Sequence, residues 1–297
     1  MISSKILVSG ATGWIGRELL HIFSESNIDL GRLILISSKN QIIKINGADF
    51  NVSDFNTKEI SNPIESYFDF AFLTKNQLKK YGPERFKEIN LSIISNSTSL
   101  IRRVCPRTVV LASSGAVYGT KNYTHDDFLY ADLKKTQEEQ IAKACEVSGS
   151  NLIISRIFNL SGRGINIASS YAIADLTLKA IQNIDLAINS GRMVMRRYCD
   201  VTQLLTLLVE MANLNMNRTF DSGGTKIDLR TLAITITRTI STKSKVIFPY
   251  SNEFLEADNY FSISNDYEKL LIKLLDVKSV SIETQILNTR TALLSQV

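Results

Sequence analysis

Residues 5–20, KILVSGATGWIGRELL, carry the reading that decides the fold. The apolar run Ile6-Leu7-Val8 reads as a buried strand, and Ile15, Leu19, Leu20 and Phe23 recur at the spacing of one helical face. Between them stand Gly10, Gly13 and Gly16. Strand, glycine turn and helix in that order suit the pyrophosphate of a dinucleotide. The turn must be tight, the backbone must come close to the phosphates, and the helix N-terminus supplies free N–H groups at the positive end of its dipole. Gly10, Thr12, Gly13, Trp14, Ile15 and Gly16 are therefore the expected cofactor-binding residues of this turn. An ordinary βα turn of small residues is the competing reading, and the flanking strand and helix weigh against it.

Further along, Arg32 to Ile36 reads as a second strand. An acidic residue at its end would bind the adenosine ribose of NAD, but Ser37, Ser38 and Lys39 stand there. Hydroxyls and a cation suit a 2′-phosphate, which tilts the cofactor from NAD to NADP; a plain polar loop has the same composition. Asp54 is expected on the adenine side. Phe70 to Leu73 reads as the next strand, Lys75 to Arg85 as loop, Phe86 to Val104 as a long helix and Thr108 to Ala112 as a further strand. This alternation predicts an α/β fold, a Rossmann-like doubly wound, mostly parallel sheet.

A second chemical segment, Ser113-Ser114-Gly115-Ala116-Val117-Tyr118-Gly119, follows that strand, where ligands of open α/β sheets bind. Next comes Tyr130-Ala131-Asp132-Leu133-Lys134, which opens a helix running to about Val147. A Tyr and a Lys four apart share one helical face. An ammonium beside a phenol favours the phenolate, so the tyrosine can exchange a proton near neutral pH. Alone, such a pair is most often a surface pair and a serine pair most often a turn. The order of glycine turn, strand-end serine and Tyr-x-x-x-Lys carries the reading, with Ser114, Tyr130 and Lys134 as the catalytic set.

Composition excludes several other classes. The 297 residues can bury a large core in one domain or two. The formal net charge of +5 comes from scattered Lys and Arg, so nucleic acid binding is not indicated. Cys105, Cys145 and Cys199 form neither a CxxC pair nor a zinc spacing, and free thiols suit a reducing compartment. With His21 and His125 as the only histidines, no metal centre is expected. No apolar run is long enough to span a bilayer, and the first strand begins too early for a signal peptide, so no membrane association and a cytoplasmic location are expected.

In combination these motifs resemble the extended short-chain dehydrogenase/reductases, the NAD-dependent epimerase/dehydratase family that acts on nucleotide sugars. GATGWIG at 10–16 resembles its cofactor turn, SSGAVYG at 113–119 its serine motif, and Tyr130 with Lys134 its catalytic pair. Glu138 matches an acidic position on the same helix, and Asn90 and Asn96 match two positions of the preceding helix. Arg156-Ile157-Phe158-Asn159 resembles the R-x-F-N segment, and RRYCDVTQL at 196–204 resembles the later diphosphate-clamp segment. The resemblance implies Leu73, Thr74, Asn90, Tyr130 and Lys134 on the cofactor, Lys134 holding the nicotinamide ribose, with Ser114, Gly115, Asn159 and Arg196 on the nucleotide-sugar substrate. A guanidinium fork suits paired phosphate oxygens, although a solvated cation is the alternative for Arg196.

The chain also departs from the pattern. Leu73-Thr74-Lys75 stands where small residues usually leave room for cofactor, Ile93 replaces a glycine, Leu133 a serine, and Thr202-Gln203 an Asp pair. Gly115 and Ala116 replace the Asp-Glu of 4,6-dehydratases and cannot transfer protons. The expectation is therefore a 4-keto sugar reductase, with a nucleotide-sugar 4-epimerase holding NAD tightly as the alternative and a non-catalytic dinucleotide sensor as the second. Residues 1–160 are expected to form the dinucleotide-binding domain, with a returning segment near 186–215, and 161–297 mainly a substrate-binding lobe. In that second part, helices are read at 168–184, 229–240, 267–275 and 282–294. The family also implies a homodimer through the two helices that carry Ser92 and Tyr130, whose apolar residues burial within one monomer explains equally well.

Overall fold

The structure, a computed structural model, describes residues 4–55, 60, 63–119, 124–165, 167–240, 242–248 and 257–295. The chain divides into two compact units, Met1–Ile157 with Leu205–Phe220, and Phe158–Leu204 with Asp221–Val297.

The first unit runs β1 (Lys5–Ser9), α1 (Trp14–Glu25), β2 (Leu33–Ser37), β3 (Gln41–Ile45), β4 (Ala48–Asp54), β5 (Ile64–Asp69), α2 (Leu78–Tyr81), α3 (Pro83–Val104), β6 (Thr108–Ser114), α4 (His125–Ser148) and β7 (Asn151–Ile157). The second begins with β8 (Asn159–Ser161), α5 (Ala172–Ile181), β9 (Leu186–Ala187) and β10 (Val194–Asp200). Next, α6 (Val201–Asn213) and β11 (Arg218–Asp221) lead the chain through residues of the first unit. The second unit is completed by β12 (Thr225–Asp228), α7 (Leu229–Ile240), β13 (Val246–Ile247), β14 (Asp258–Tyr260), α8 (Asp266–Leu275) and α9 (Ile282–Leu294).

The first unit's sheet has the order β11-β7-β6-β5-β1-β2-β4-β3. β1 pairs in parallel with β2 and β5, β5 with β6, β6 with β7 and β2 with β4, while β3 is antiparallel to β4. Strand order reverses about β1, so the carboxyl ends of β1 and β5 flank the crevice where ligands of such sheets bind. Successive residues of β5 serve opposite faces. Tyr67 joins the core formed with Ile101 of α3, Leu111 and Ile141 of α4, whereas Phe68 packs edge-on against Phe23 of α1, with ring centroids 6.0 Å apart. In the second unit β10 is antiparallel to β12 and parallel to β14 and β8, and Tyr198, Leu232, Ile236 and Ile286 are core.

Several elements differ from the sequence reading. The strand expected at 70–73 is β5, Ile64–Asp69. Phe70 N–H still donates to the Ser9 carbonyl, but the Leu73 N–H and carbonyl are bound by the Asn90 side chain rather than by a strand. The expected loop 75–85 holds a 3-10 turn, α2 and the first turn of α3, which opens on Pro83. Residues 41–54 form the β3–β4 hairpin. α4 starts at His125, not Tyr130, because Thr124 and Asp127 form a capping box there. The helix expected over 168–184 is a 3-10 turn followed by α5. Residues 205–220, rather than 186–215, return to the first unit, since β9 and β10 pair with strands of the second.

Leu111 is 0% exposed at the centre of the sheet. Leu111→Ala should cost about 3 kcal/mol in urea unfolding, whereas Thr124→Ala, which removes only the exposed cap of α4, should cost about 1 kcal/mol.

Candidate active site

The glycine turn is shaped by close backbone approaches. Gly10 has φ of +66°, and a Cβ on it would lie 2.7 Å from the Phe70 carbonyl carbon. A Cβ on Gly16 would run into the Gly10 carbonyl oxygen. Only glycine lets α1 leave β1 so tightly. Gly13 is exposed at the N-cap, Trp14 is buried, and Thr12 and Ile15 are half-buried beside it. No side chain caps α1 and its first turn has no acidic residue, so the backbone N–H groups present a positive dipole end without a competing carboxylate. These residues fit a dinucleotide pyrophosphate.

At the end of β2, the Ser37 hydroxyl donates to the Lys39 carbonyl at 2.9 Å and is buried, so it holds the loop. Ser38 and Lys39 are exposed. Asp54 ends β4, with its N–H bound to the Asn40 side chain at 2.8 Å. Asn90 is fully buried, its amide spent on both backbone groups of Leu73, and Thr74 is half-buried just beyond. Asn90 thus shapes the segment at the end of β5.

α4 is fastened to the end of β6 by two side chains. Lys134 Nζ donates to the Ala112 carbonyl, and Ser113 Oγ donates to Glu138 at 2.5 Å. Ser114 follows, buried, its hydroxyl accepting from the Ala116 N–H at 3.2 Å, with Gly115 buried beside it. Tyr130 is half-buried, and the Phe72 ring packs edge-on against it with centroids 5.9 Å apart. The same Phe72 ring lies 3.8 Å from Lys134 Nζ. Lys134 also donates to the Gln137 side-chain oxygen at 2.9 Å. Burial pulls its pKa from 10.5 down to about 7, against the upward pull of the Asp69 and Glu138 carboxylates. The serine strand end, the tyrosine and the lysine therefore belong to adjoining, mutually bonded elements.

Four contributors have no site role in the sequence reading. Phe72 is one. Gln137 is another. Arg156 forks onto Glu138 at 3.0 and 2.7 Å and donates to the Tyr118 hydroxyl at 2.9 Å, so it neutralises the acid that holds Ser113. Asp69 is the fourth: it is fully buried and accepts from Ser9 Oγ at 2.6 Å. A carboxylate inside the apolar stretch Tyr67-Phe68-Asp69-Phe70-Ala71-Phe72 was the available signal. The departing residue Lys75 pairs with Asp127 at the start of α4.

In the second unit, Asn159 on β8 donates to the Tyr260 carbonyl at 3.3 Å. Arg196 on β10 donates to the Asp258 carbonyl at 3.0 Å and its carboxylate at 2.9 Å, beside the Tyr260 ring. The two residues expected on the diphosphate thus share β14 as their neighbour. Adjacent Arg197 is structural, bound to Glu268 and to three carbonyls, those of Gly224, Ser262 and Ser264. Among the described residues no group of three or more side chains could hold a metal ion, and no helix is long and apolar enough to cross a membrane.

A lysine whose folded pKa lies below its unfolded value binds fewer protons in the native state between those values. Its stability contribution is therefore fully present above about 10.5 and is lost as pH falls through about 7. Urea unfolding of the protein and of Lys134→Met across that window should show wild-type stability rising with pH relative to the variant. Gly16→Val should unfold more easily by about 2 kcal/mol or more, through the clash with Gly10.

A model of the NAD dependent epimerase/dehydratase family matches residues 6–220. No protein with a curated description matches the chain. Solved structures share its fold at low identity. The UDP-glucose 4-epimerase of Thermotoga maritima, solved with UDP-glucose, superposes with a TM-score of 0.74 at 16% identity, covering 98% of this chain and 99% of its own. The UDP-glucose 4-epimerase of Thermus thermophilus, in complex with NAD, gives 0.72 at 15%, covering 99% and 100%. An NAD-dependent NDP-hexosamine 5,6-dehydratase of tunicamycin biosynthesis gives 0.72 at 18%, covering 99% and 98%. With the family model spanning the glycine turn, the serine segment and the Tyr–Lys helix, the chain belongs to the NAD-dependent epimerase/dehydratase family.

Proposed function

We propose that this protein is an NAD(P)-dependent oxidoreductase acting at a sugar ring carbon of a nucleotide sugar, and specifically a 4-keto sugar reductase. The observation that carries it is the fastening of α4 to the end of β6, which sets Ser114, Tyr130 and Lys134 on bonded neighbouring elements. A bound nicotinamide would supply hydride to the carbonyl carbon. Tyr130 gives its phenolic proton to the carbonyl oxygen, which the Ser114 hydroxyl orients. Lys134 holds the nicotinamide ribose and acts by its charge: two of its three N–H groups go to Ala112 and Gln137, and the Phe72 ring lies against it. Gly10, Thr12, Gly13, Trp14, Ile15 and Gly16 hold the pyrophosphate. Leu73 and Thr74 line the cofactor on the segment that Asn90 shapes, with Asp54 on the adenine side. Exposed Ser38 and Lys39 favour a 2′-phosphate, hence NADP. Asn159 and Arg196 bind the substrate diphosphate, for which Arg196 exchanges its bond to Asp258. Gly115 and Ala116 offer no acid or base for 4,6-dehydration.

A 4-epimerase is the second reading, favoured by the shared fold with two UDP-glucose 4-epimerases. Cofactor extracted from the purified protein separates the two: loosely held NADP supports the reductase, and retained oxidised NAD the epimerase. On a panel of nucleotide-activated keto sugars with NADPH and NADH, Tyr130→Phe should lower turnover by about 100-fold or more. Unchanged turnover in that variant would overturn the mechanism, and cofactor binding without turnover of any sugar would favour a sensor. Lys39→Glu should shift preference from NADPH towards NADH in the ratio of kcat/KM values.

A further inference from the structure

Lys134 is 4% exposed, and both hydrogen-bond acceptors at its Nζ, the Ala112 carbonyl and the Gln137 side-chain oxygen, are neutral. The Phe72 ring closes a further side. An ammonium in such surroundings requires a compensating negative charge close by. Two carboxylates act on it, Asp69 at the end of β5 and Glu138 on its own helix. Glu138 is already matched by the Arg156 fork and takes the Ser113 hydroxyl as well. Lys75, on the segment after Phe72, is engaged by Asp127.

Asp69 is matched by no other cation among the described residues. It is 0% exposed, its Oδ1 accepts from Ser9, and its Oδ2 has no hydrogen-bond partner. In the sheet register it stands opposite Leu111, the residue before the carbonyl that holds Lys134. The other titratable groups around it stay neutral at physiological pH: burial and the Asp69 charge push the Tyr67 phenol well up and the Cys145 thiol to about 12.

We infer that Asp69 is the counter-ion of Lys134, a positioning residue that keeps the lysine charged at the carboxyl edge of the sheet without hydrogen-bonding to it. The directions of the two titrations accord with this: burial lowers Lys134 and raises Asp69, and each is pulled back by the charge of the other. The inference deepens the reading of Lys134 as the charged partner of Tyr130, but the charge relation itself does not require that reading.

The test follows the Lys134 side-chain Cε resonance against pH in the full-length protein with labelled lysine, the signal being assigned by its loss in Lys134→Met. Asp69→Asn keeps size and removes charge, and the Lys134 midpoint should fall by about one pH unit. Ser9→Ala leaves Asp69 in place but takes away one of the three hydroxyls, with those of Ser97 and Tyr67, that favour its charged form, so the midpoint should fall in the same direction and less. This second variant carries the test if Asp69→Asn does not fold. A midpoint that stays put or rises overturns the inference. Turnover is read in parallel: a shifted midpoint in a protein that turns over no sugar sinks the proposed function and leaves the counter-ion standing, whereas normal turnover with an unmoved midpoint sinks the counter-ion alone.

Discussion

The contact of Gly16 with the Gly10 carbonyl is the constraint on which the first unit depends. It sets the angle at which α1 leaves β1, and Gly13 at the N-cap leaves the first turn of the helix uncapped by any side chain. Gly10 in turn lies against the Phe70–Ala71 peptide, so the glycine turn and the end of β5 are one packed piece of backbone. Neither approach tolerates a Cβ. Around this point the strand order reverses, and the carboxyl ends of β1, β5 and β6 open onto the same edge of the sheet.

What gathers along that edge is a set of polar groups whose neutralisation is divided into two parts. Glu138, Arg156, Ser113 and Tyr118 form one set, in which a forked ion pair satisfies the acid and ties α4 to β6 and β7. Lys134, Ala112, Gln137 and Phe72 form the other, in which a buried ammonium has only neutral contacts. In the first part the carboxylate is matched by the guanidinium. The second is sensitive, because a charge in surroundings of low polarity responds to each carboxylate near it. This division lets one helix be a structural clamp and also carry the acid–base pair proposed for the reaction.

Much of this was legible in the chain itself. The strand–glycine–helix order at 5–20 has few physical outcomes, and the Tyr130–Lys134 spacing puts both residues on one helical face in any helix that contains them. The helices at 229–240 and 282–294 have the bounds read from the sequence. Illegible were features created by packing. Phe70 to Leu73 is as apolar as a strand, yet the backbone of Leu73 finds its partners in the Asn90 amide, seventeen residues away. α4 begins five residues before Tyr130, where the Thr124 and Asp127 side chains close a capping box on the backbone.

The order of residues along the chain was enough to establish that a dinucleotide-type turn opens the protein and that a serine, a tyrosine and a lysine follow as they do in this family. Short-range backbone sterics and helical periodicity suffice for that. The electrical state of the site, by contrast, was settled by folding in three dimensions. Whether Lys134 stands in water or under Phe72, and whether Asp69 or Glu138 has a charge to spare for it, depends on residues brought together from β1, β5, β6, β7 and α4. Burial and ion pairing act through space, and no spacing along the chain encodes them.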